Sequence, residues 1–189
     1  KGHRRDAWQV LANGGVAGAI LLAGVILHQQ QAAWWFYCAA LAAATADTWA
    51  TELGVLSPVQ PRLITSWRPV EMGTSGGISL VGSLSALAGS LLLGFISVVI
   101  VPAGIKLGFY VTIAGLAGSM VDSLLGATYQ AQYKCQACGR ITEKHPLHSC
   151  GGSTIIHKGW TWVNNDWVNA ACTISAPLFL GLLFLCFGY

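Results

Sequence analysis

An all-α integral membrane bundle is the fold class this sequence predicts, and three observations carry the prediction. Hydrophobic residues fill 54% of the 189 positions and charged residues only 9%, against roughly 25% charged in an ordinary soluble domain. Five apolar runs are long enough to cross about 30 Å of hydrocarbon as helices. The runs are continuous rather than alternating, which favours helices over a barrel, because a helix satisfies its backbone groups within its own segment.

The first run covers residues 8–27 and carries Gly14-Gly15, small residues that suit close helix contact in lipid. Asn13 stands beside them and reads first as interhelical hydrogen-bonding glue. The second run, 32–56, contains Asp47-Thr48-Trp49-Ala50-Thr51-Glu52. Pro58, Pro61 and Pro69 then argue against a continuing helix over 57–74. The third run is 78–101, and a short turn leads to the fourth, 109–130, with Gly115 and Gly118 for packing and with Asp122-Ser123. A connection of about 35 residues precedes the fifth, 167–188, which is introduced by Asn164-Asn165-Asp166 and carries Asn169. One transmembrane domain, 1–189, is expected, with a small Cys and His motif in the loop 131–160. The chain starts at Lys1 with no secretory signal ahead of it. One or more upstream helices are therefore expected to be missing.

Assigning the connections alternately to two sides puts Lys1, Arg4, Arg5, Arg62, Arg68, Lys134, Arg140, Lys144 and Lys158 on one side and Lys106 alone on the other. By the positive-inside rule the first side is cytoplasmic, and Tyr189 lies across the membrane. Both long connections are then cytoplasmic. Trp8, Trp34, Trp35 and Trp167 fall near the boundaries and fit an aromatic belt, whereas Trp49 lies deeper. Membrane lipid is the expected surrounding, no nucleic-acid partner is expected, and a homodimer is left open.

Carboxylates inside membrane helices are costly and persist mainly where they face a protein-lined or water-filled site. Asp47 and Asp122 sit on the two descending helices, each followed by a hydroxyl residue, at an expected depth of about 12 to 15 Å from the helix end. This looks like a short internal repeat, although tandem hairpins also produce such a pattern. Asp47, Glu52, Asp122 and Asp166 are oxygen ligands suited to Mg2+, which binds through one or two carboxylates plus substrate phosphates. The plain alternative for each is a buried polar residue bonded to a neighbouring helix. Glu52 is the weakest member, rotated about 140° from Asp47 around an ideal helix.

Gly73-Thr74-Ser75-Gly76-Gly77 lies where a loop becomes the third helix, and its backbone amides and hydroxyls suit a phosphate. Taken without the acidic clusters, it reads first as a helix cap with packing glycines. No Gly-Lys-Ser/Thr follows, so it is not a Walker A loop. Asn165 and Asn169 are spaced i,i+4, and with Asp166 they form one helix surface. Cys38, Cys172 and Cys186 are isolated in apolar helices and read as small buried hydrophobes. Cys135-Gln136-Ala137-Cys138, His145, His148 and Cys150 form a zinc-ligand pattern instead. Cys135, Cys138, Cys150 and His148 are the preferred set, with His145 as the alternative fourth ligand. Four protein ligands make a structural site, and the reducing cytoplasmic side disfavours disulfides.

The segments Ala46-Asp47-Thr48-Trp49-Ala50-Thr51-Glu52-Leu53-Gly54, Gly73-Thr74-Ser75-Gly76-Gly77-Ile78-Ser79, Gly118-Ser119-Met120-Val121-Asp122-Ser123 and Asn164-Asn165-Asp166-Trp167-Val168-Asn169, together with Arg5-Asp6-Ala7-Trp8-Gln9-Val10-Leu11-Ala12-Asn13, carry a resemblance. The chain resembles the polytopic membrane family that contains the phytyl-phosphate kinase of plant and cyanobacterial vitamin E synthesis. An animal transmembrane protein of uncertain role belongs to the same family. The resemblance covers nearly the whole chain, and the Cys and His loop departs from the plant pattern. It implies transfer of a phosphoryl group from a nucleoside triphosphate, CTP above all, to phytyl or a related prenyl monophosphate. Asp47, Asp122 and Asp166 would be catalytic as Mg2+ ligands, with Glu52 as a further ligand. Gly73, Thr74, Ser75, Gly76, Gly77, Ser123, Asn164, Asn165, Asn169 and Asn13 would bind phosphates or nucleotide. Two other readings use the same residues: an ion or small-anion transporter coupled through the carboxylates, and a nucleotidyltransferase forming a CDP-lipid.

Overall fold

The computed structural model describes residues 7–102 and 104–188. Lys1, Arg4, Arg5, Asp6 and Tyr189, which enter the charge and motif readings above, lie outside the described residues. Five long helices follow one another: α1 Ala7–Ile26, α2 Gln30–Gly54, α3 Leu80–Ile100, α4 Ile105–Thr128 and α5 Asn165–Phe187. Contacts at the end of the tight turns establish an up-and-down order. Trp34 Nε1, near the start of α2, donates to the Ser97 carbonyl near the end of α3 at 3.0 Å. Lys106 Nζ, at the start of α4, donates to the Phe187 carbonyl at the end of α5 at 3.0 Å. The two tight turns therefore share one end of the bundle with Lys106, and the two long connections share the other. The described cations Arg62, Arg68, Lys134, Arg140, Lys144 and Lys158 all belong to the long connections at that loop end.

Four helices, α1, α3, α4 and α5, are long and apolar enough to cross a membrane by length and composition. The fifth expected span, α2, is different in kind. It packs against all four others, and Trp35, Cys38, Ala39, Ala40, Ala42, Ala43 and Ala46 are fully enclosed. Because α2 lies among helices, it can be alanine-rich and less hydrophobic than a helix bathed in lipid. Lipid tails supply no hydrophobic drive between helices, so association rests on close packing and interhelical hydrogen bonds. Both are present. Ser90 Oγ on α3 donates to the Thr112 carbonyl on α4 at 2.7 Å, and Thr173 Oγ1 on α5 donates to the Ala12 carbonyl on α1 at 3.0 Å.

The loop end holds structure that an all-helical expectation leaves out. In the first connection β1 (Arg62–Leu63) pairs with β2 (Gly77–Ile78), antiparallel. In the second, β3 (Gln132–Cys135) is flanked by β4 (Ile141–Thr142) and β5 (Thr154–Lys158) in the order β4-β3-β5. Strand-type sequence is present, in the β-branched Thr154-Ile155-Ile156, but it is too short to register beside the helical runs. Two residues also differ from expectation. Trp35 is only 1% exposed, a core residue rather than part of a belt. Cys186, near the end of α5, is exposed rather than buried.

Candidate functional site

Three helices meet at Gly118 on α4. A side-chain carbon there would fall 2.6 Å from Ala43 Cβ on α2 and 2.8 Å from the Cys172 carbonyl oxygen on α5, so glycine alone permits the approach. Asp47 stands four residues beyond Ala43, Asp122 four beyond Gly118, and Asn169 three before Cys172. Residues three or four apart share a helix face. Since α5 runs opposite to α2 and α4, all three displacements point toward the loop end, and the three side chains gather one turn below the junction. In agreement, both Asp47 and Asp122 act electrostatically on Cys172. Asp122 Oδ2 is buried, and both carboxylates belong to half-buried residues. The helices end earlier than the apolar runs suggested, at Gly54 and Thr128. Asp47 and Asp122 consequently lie about 9 to 11 Å inside the helix ends, not 12 to 15 Å.

Asp166 lies one turn further out than Asn169, half-buried in the first turn of α5. Glu52 is exposed; five residues beyond Asp47, it has rotated to the outer surface and does not join the group. Asn13 on α1 is half-buried, and its amide donates to the Gln9 carbonyl of its own helix at 2.9 Å. The cross-helix bond expected of Asn13 is made beside it, by Thr173 to Ala12. Asn164 serves α5: its Oδ1 accepts from the Asp166 and Trp167 amides at 3.0 and 3.1 Å, a helix cap that occupies this oxygen.

The glycine loop closes over the last turn of α4, one turn beyond Asp122-Ser123. Ser75 Oγ donates to Gln130 Oε1, and a side-chain carbon at Gly126 would fall 3.0 Å from the Gly76 amide nitrogen. Gly76 takes φ +78° and abuts Ala127, so a side chain is excluded twice over. Thr74 turns inward on its own loop, its hydroxyl donating to the Glu71 carbonyl at 2.7 Å. Gly73, also at positive φ, faces open space. The loop therefore does structural work at Gly76 while lying next to the carboxylates. Ser79 caps α3, accepting from the Gly82 amide at 3.1 Å.

Two residues at this place escaped the sequence reading. Gln130 is 1% exposed, and its Nε2 is buried without a hydrogen-bond partner among the described residues. Lys158 Nζ reaches from β5 to donate to the Ala127 carbonyl at 2.9 Å, and burial pulls its pKa below the usual lysine value. A polar residue at the predicted end of an apolar run was the only available signal for Gln130; Lys158 had none beyond its charge. One cavity of about 550 Å³ has none of Asp47, Asp122 and Asp166 in its lining. Pro58, Arg62, Trp67, Ser79, Leu80 and Ser83 help to line this mostly apolar groove at the α2-to-α3 connection.

A second cluster lies in the Cys and His loop. The ligand atoms of Cys135, Cys138, His148 and Cys150 all fall within 4.8 Å of one another, the one such group of three or more His, Cys, Asp or Glu among the described residues. The carboxylates of α2, α4 and α5 converge on a junction but do not crowd to that degree. His145 turns elsewhere, stacked on Tyr133 at 4.5 Å and 13°. The Cys138 amide, donating to Cys135, leads the effects that hold the Cys135 thiol down to about 7. For Cys138, the Arg140 amide pulls its pKa down, but burial and the Cys135 and Cys150 sulfurs outweigh it and leave it raised. Soft sulfur and imidazole donors at this spacing suit a tetrahedral cation.

Residues 1–177 match the family model described as integral membrane protein DUF92. The chain is 33% identical over 168 residues to Protein PGR of Arabidopsis thaliana, covering 76% of this chain and 58% of the relative. It is 39% identical over 126 residues to an uncharacterized membrane protein of Methanocaldococcus jannaschii, covering 67% of this chain and 52% of the relative. The chain thus spans little more than half the length of these curated relatives. No solved structure matches.

Proposed function

The chain belongs to the DUF92 family of integral membrane proteins, and on that premise we propose that it is a membrane phosphotransferase. It would move the terminal phosphoryl group of a nucleoside triphosphate, CTP foremost, to phytyl or a related prenyl monophosphate. The observation that supports this reading is the gathering of Asp47, Asp122 and Asn169 one turn below the Gly118 junction, with the glycine loop one turn further on. Phosphoryl transfer asks the protein chiefly for positioning and for cancellation of negative charge.

The donor set fits magnesium: two half-buried carboxylates from different helices offer hard oxygens, and substrate phosphates complete the shell. Asp47 and Asp122 would hold the ion, with Asp166 at the mouth; the ion would supply neutralisation of phosphate charge. In the reaction an oxygen of the acceptor monophosphate forms the new bond to the γ-phosphorus. The bond from that phosphorus to the β-bridging oxygen breaks, and the nucleoside diphosphate leaves. The acceptor is already anionic, so no base need remove a proton. Asn165, Asn169, Ser75 and the open backbone at Gly73 would orient phosphates, and the apolar groove by Trp67 and Leu80 would take up part of the prenyl chain. By the placement of the basic connections, the site would face the cytoplasm.

The test is incubation of the purified protein with Mg2+, labelled CTP or ATP, and phytyl or geranylgeranyl phosphate, followed by identification of the lipid product. A nucleotide-dependent prenyl diphosphate is expected. A product that retains cytidine would make the protein a nucleotidyltransferase, and ion flux across sealed vesicles without nucleotide turnover would make it a transporter.

A further inference from the structure

We propose that Cys135, Cys138, Cys150 and His148 hold one structural zinc ion that fastens the 129–163 connection to the foot of α4. The inference is independent of phosphoryl transfer. Cys135 Sγ lies 3.5 Å from Cys150 Sγ, Cys150 Sγ 3.7 Å from Cys138 Sγ, Cys138 Sγ 3.4 Å from His148 Nδ1, and His148 Nδ1 3.1 Å from Cys150 Sγ. A tetrahedron with metal–sulfur bonds of about 2.3 Å has corners about 3.7 Å apart, so the four atoms already stand close to the corners of a zinc site. Thiolate and imidazole are the ligands zinc prefers, and four protein donors leave no position for water.

The backbone is shaped for this purpose. The Gly139 amide bonds the Cys135 carbonyl and the Gly151 amide the His148 carbonyl, both at 2.9 Å. These two tight turns present the ligand pairs to each other, and both end in glycines at positive φ. A side-chain carbon at Gly152 would come 2.8 Å from Cys135 Sγ, so the chain passes the sulfur only as glycine. Cys138 and Cys150 are exposed and no apolar shell accounts for their convergence. His145 stands outside this group of ligand atoms, its Nδ1 lying 3.1 Å from Thr154 Oγ1.

Beyond the ion, β3 and β5 lead directly to the membrane domain. The Ala131 amide bonds the Val163 carbonyl at 2.8 Å, and the Trp160 amide bonds the Tyr129 carbonyl at 2.9 Å. Lys158 meets Ala127 in the same region, next to Gly76 and Gln130. The zinc would thus brace one wall of the loop-end site without taking part in any reaction.

Metal analysis of the full chain, purified in detergent under reducing conditions with no added metal, should find about one zinc per chain. The Cys135→Ser, Cys138→Ser double variant and His148→Ala should lose it, and His145→Ala should keep it. Since the variants can misfold, two measurements use the wild-type residues. Cobalt exchanged into the site should show tetrahedral visible bands with sulfur charge transfer. Chelation should raise tryptic cleavage after Lys134, Arg140 and Lys144 several-fold. Sub-stoichiometric zinc, iron in its place, zinc retained by the double variant, an octahedral cobalt spectrum, or cleavage indifferent to chelation would each overturn the proposal.

Discussion

Asp122 and Glu52 show how much burial separates two carboxylates of one chain. Asp122 Oδ2 is buried one turn below a three-helix junction, whereas Glu52 is exposed. Asp122→Asn keeps the shape and removes the charge, and it should lower prenyl-phosphate kinase turnover by at least about 100-fold, the scale seen when a preorganised electrostatic group is lost. Glu52→Gln should leave turnover unchanged; both are read with labelled nucleotide on protein of equal helical content. If both variants behave alike, the junction is not the site. Asn164 illustrates a different mechanism. Its side-chain oxygen caps α5, so Asn164→Ala should cost about 1 kcal/mol in thermal unfolding, and Asn164→Ser should restore most of it.

At the scale of elements, α2 explains why the bundle is closed around small residues. Ala42 and Ala43 meet Gly115 and Gly118 of α4, and Thr45 meets Gly89 of α3, at distances that leave no room for a side chain without movement. Gly118→Val should therefore lower stability by about 1 to 3 kcal/mol, the usual cost of overpacking. Gly18→Ala on α1, where an added carbon meets nothing within 4 Å, should be neutral. Thermal unfolding in detergent micelles distinguishes the two, and equal effects would show that Gly118 is not a packing contact. The same closeness lets carboxylates four residues away on α2 and α4 share one level.

For the whole molecule, the up-and-down order puts both structured connections at one end and both tight turns at the other. If the loop end is cytoplasmic, a cysteine at Lys106 should react with an impermeant thiol reagent in intact cells above the wild-type background. Cysteines at Arg68 or Glu143 should react only after permeabilisation. The reverse pattern would invert the molecule and place the carboxylates outside. The gathering of the cations at one end was legible in sequence because cations are counted per connection, without any knowledge of packing. The depth of the carboxylates was less so, because the ends of apolar runs do not mark the ends of helices: the run drawn to Gln130 takes in two residues beyond Thr128, where α4 ends.

By itself the sequence determined the membrane setting, the five helices and the quartet of Cys135, Cys138, His148 and Cys150. Each of these depends on local order: runs of about 20 apolar residues, and ligand pairs two or three residues apart that a single turn brings together. Only the tertiary structure decided that α2 is the enclosed helix and that Glu52 stands apart from Asp47 and Asp122. It also decided that Gln130 and Lys158 join the glycine loop. Those outcomes depend on which helix faces meet, and they meet where small residues on segments far apart in the chain allow backbones to touch. Such a property belongs to pairs of segments, and no single stretch of sequence carries it.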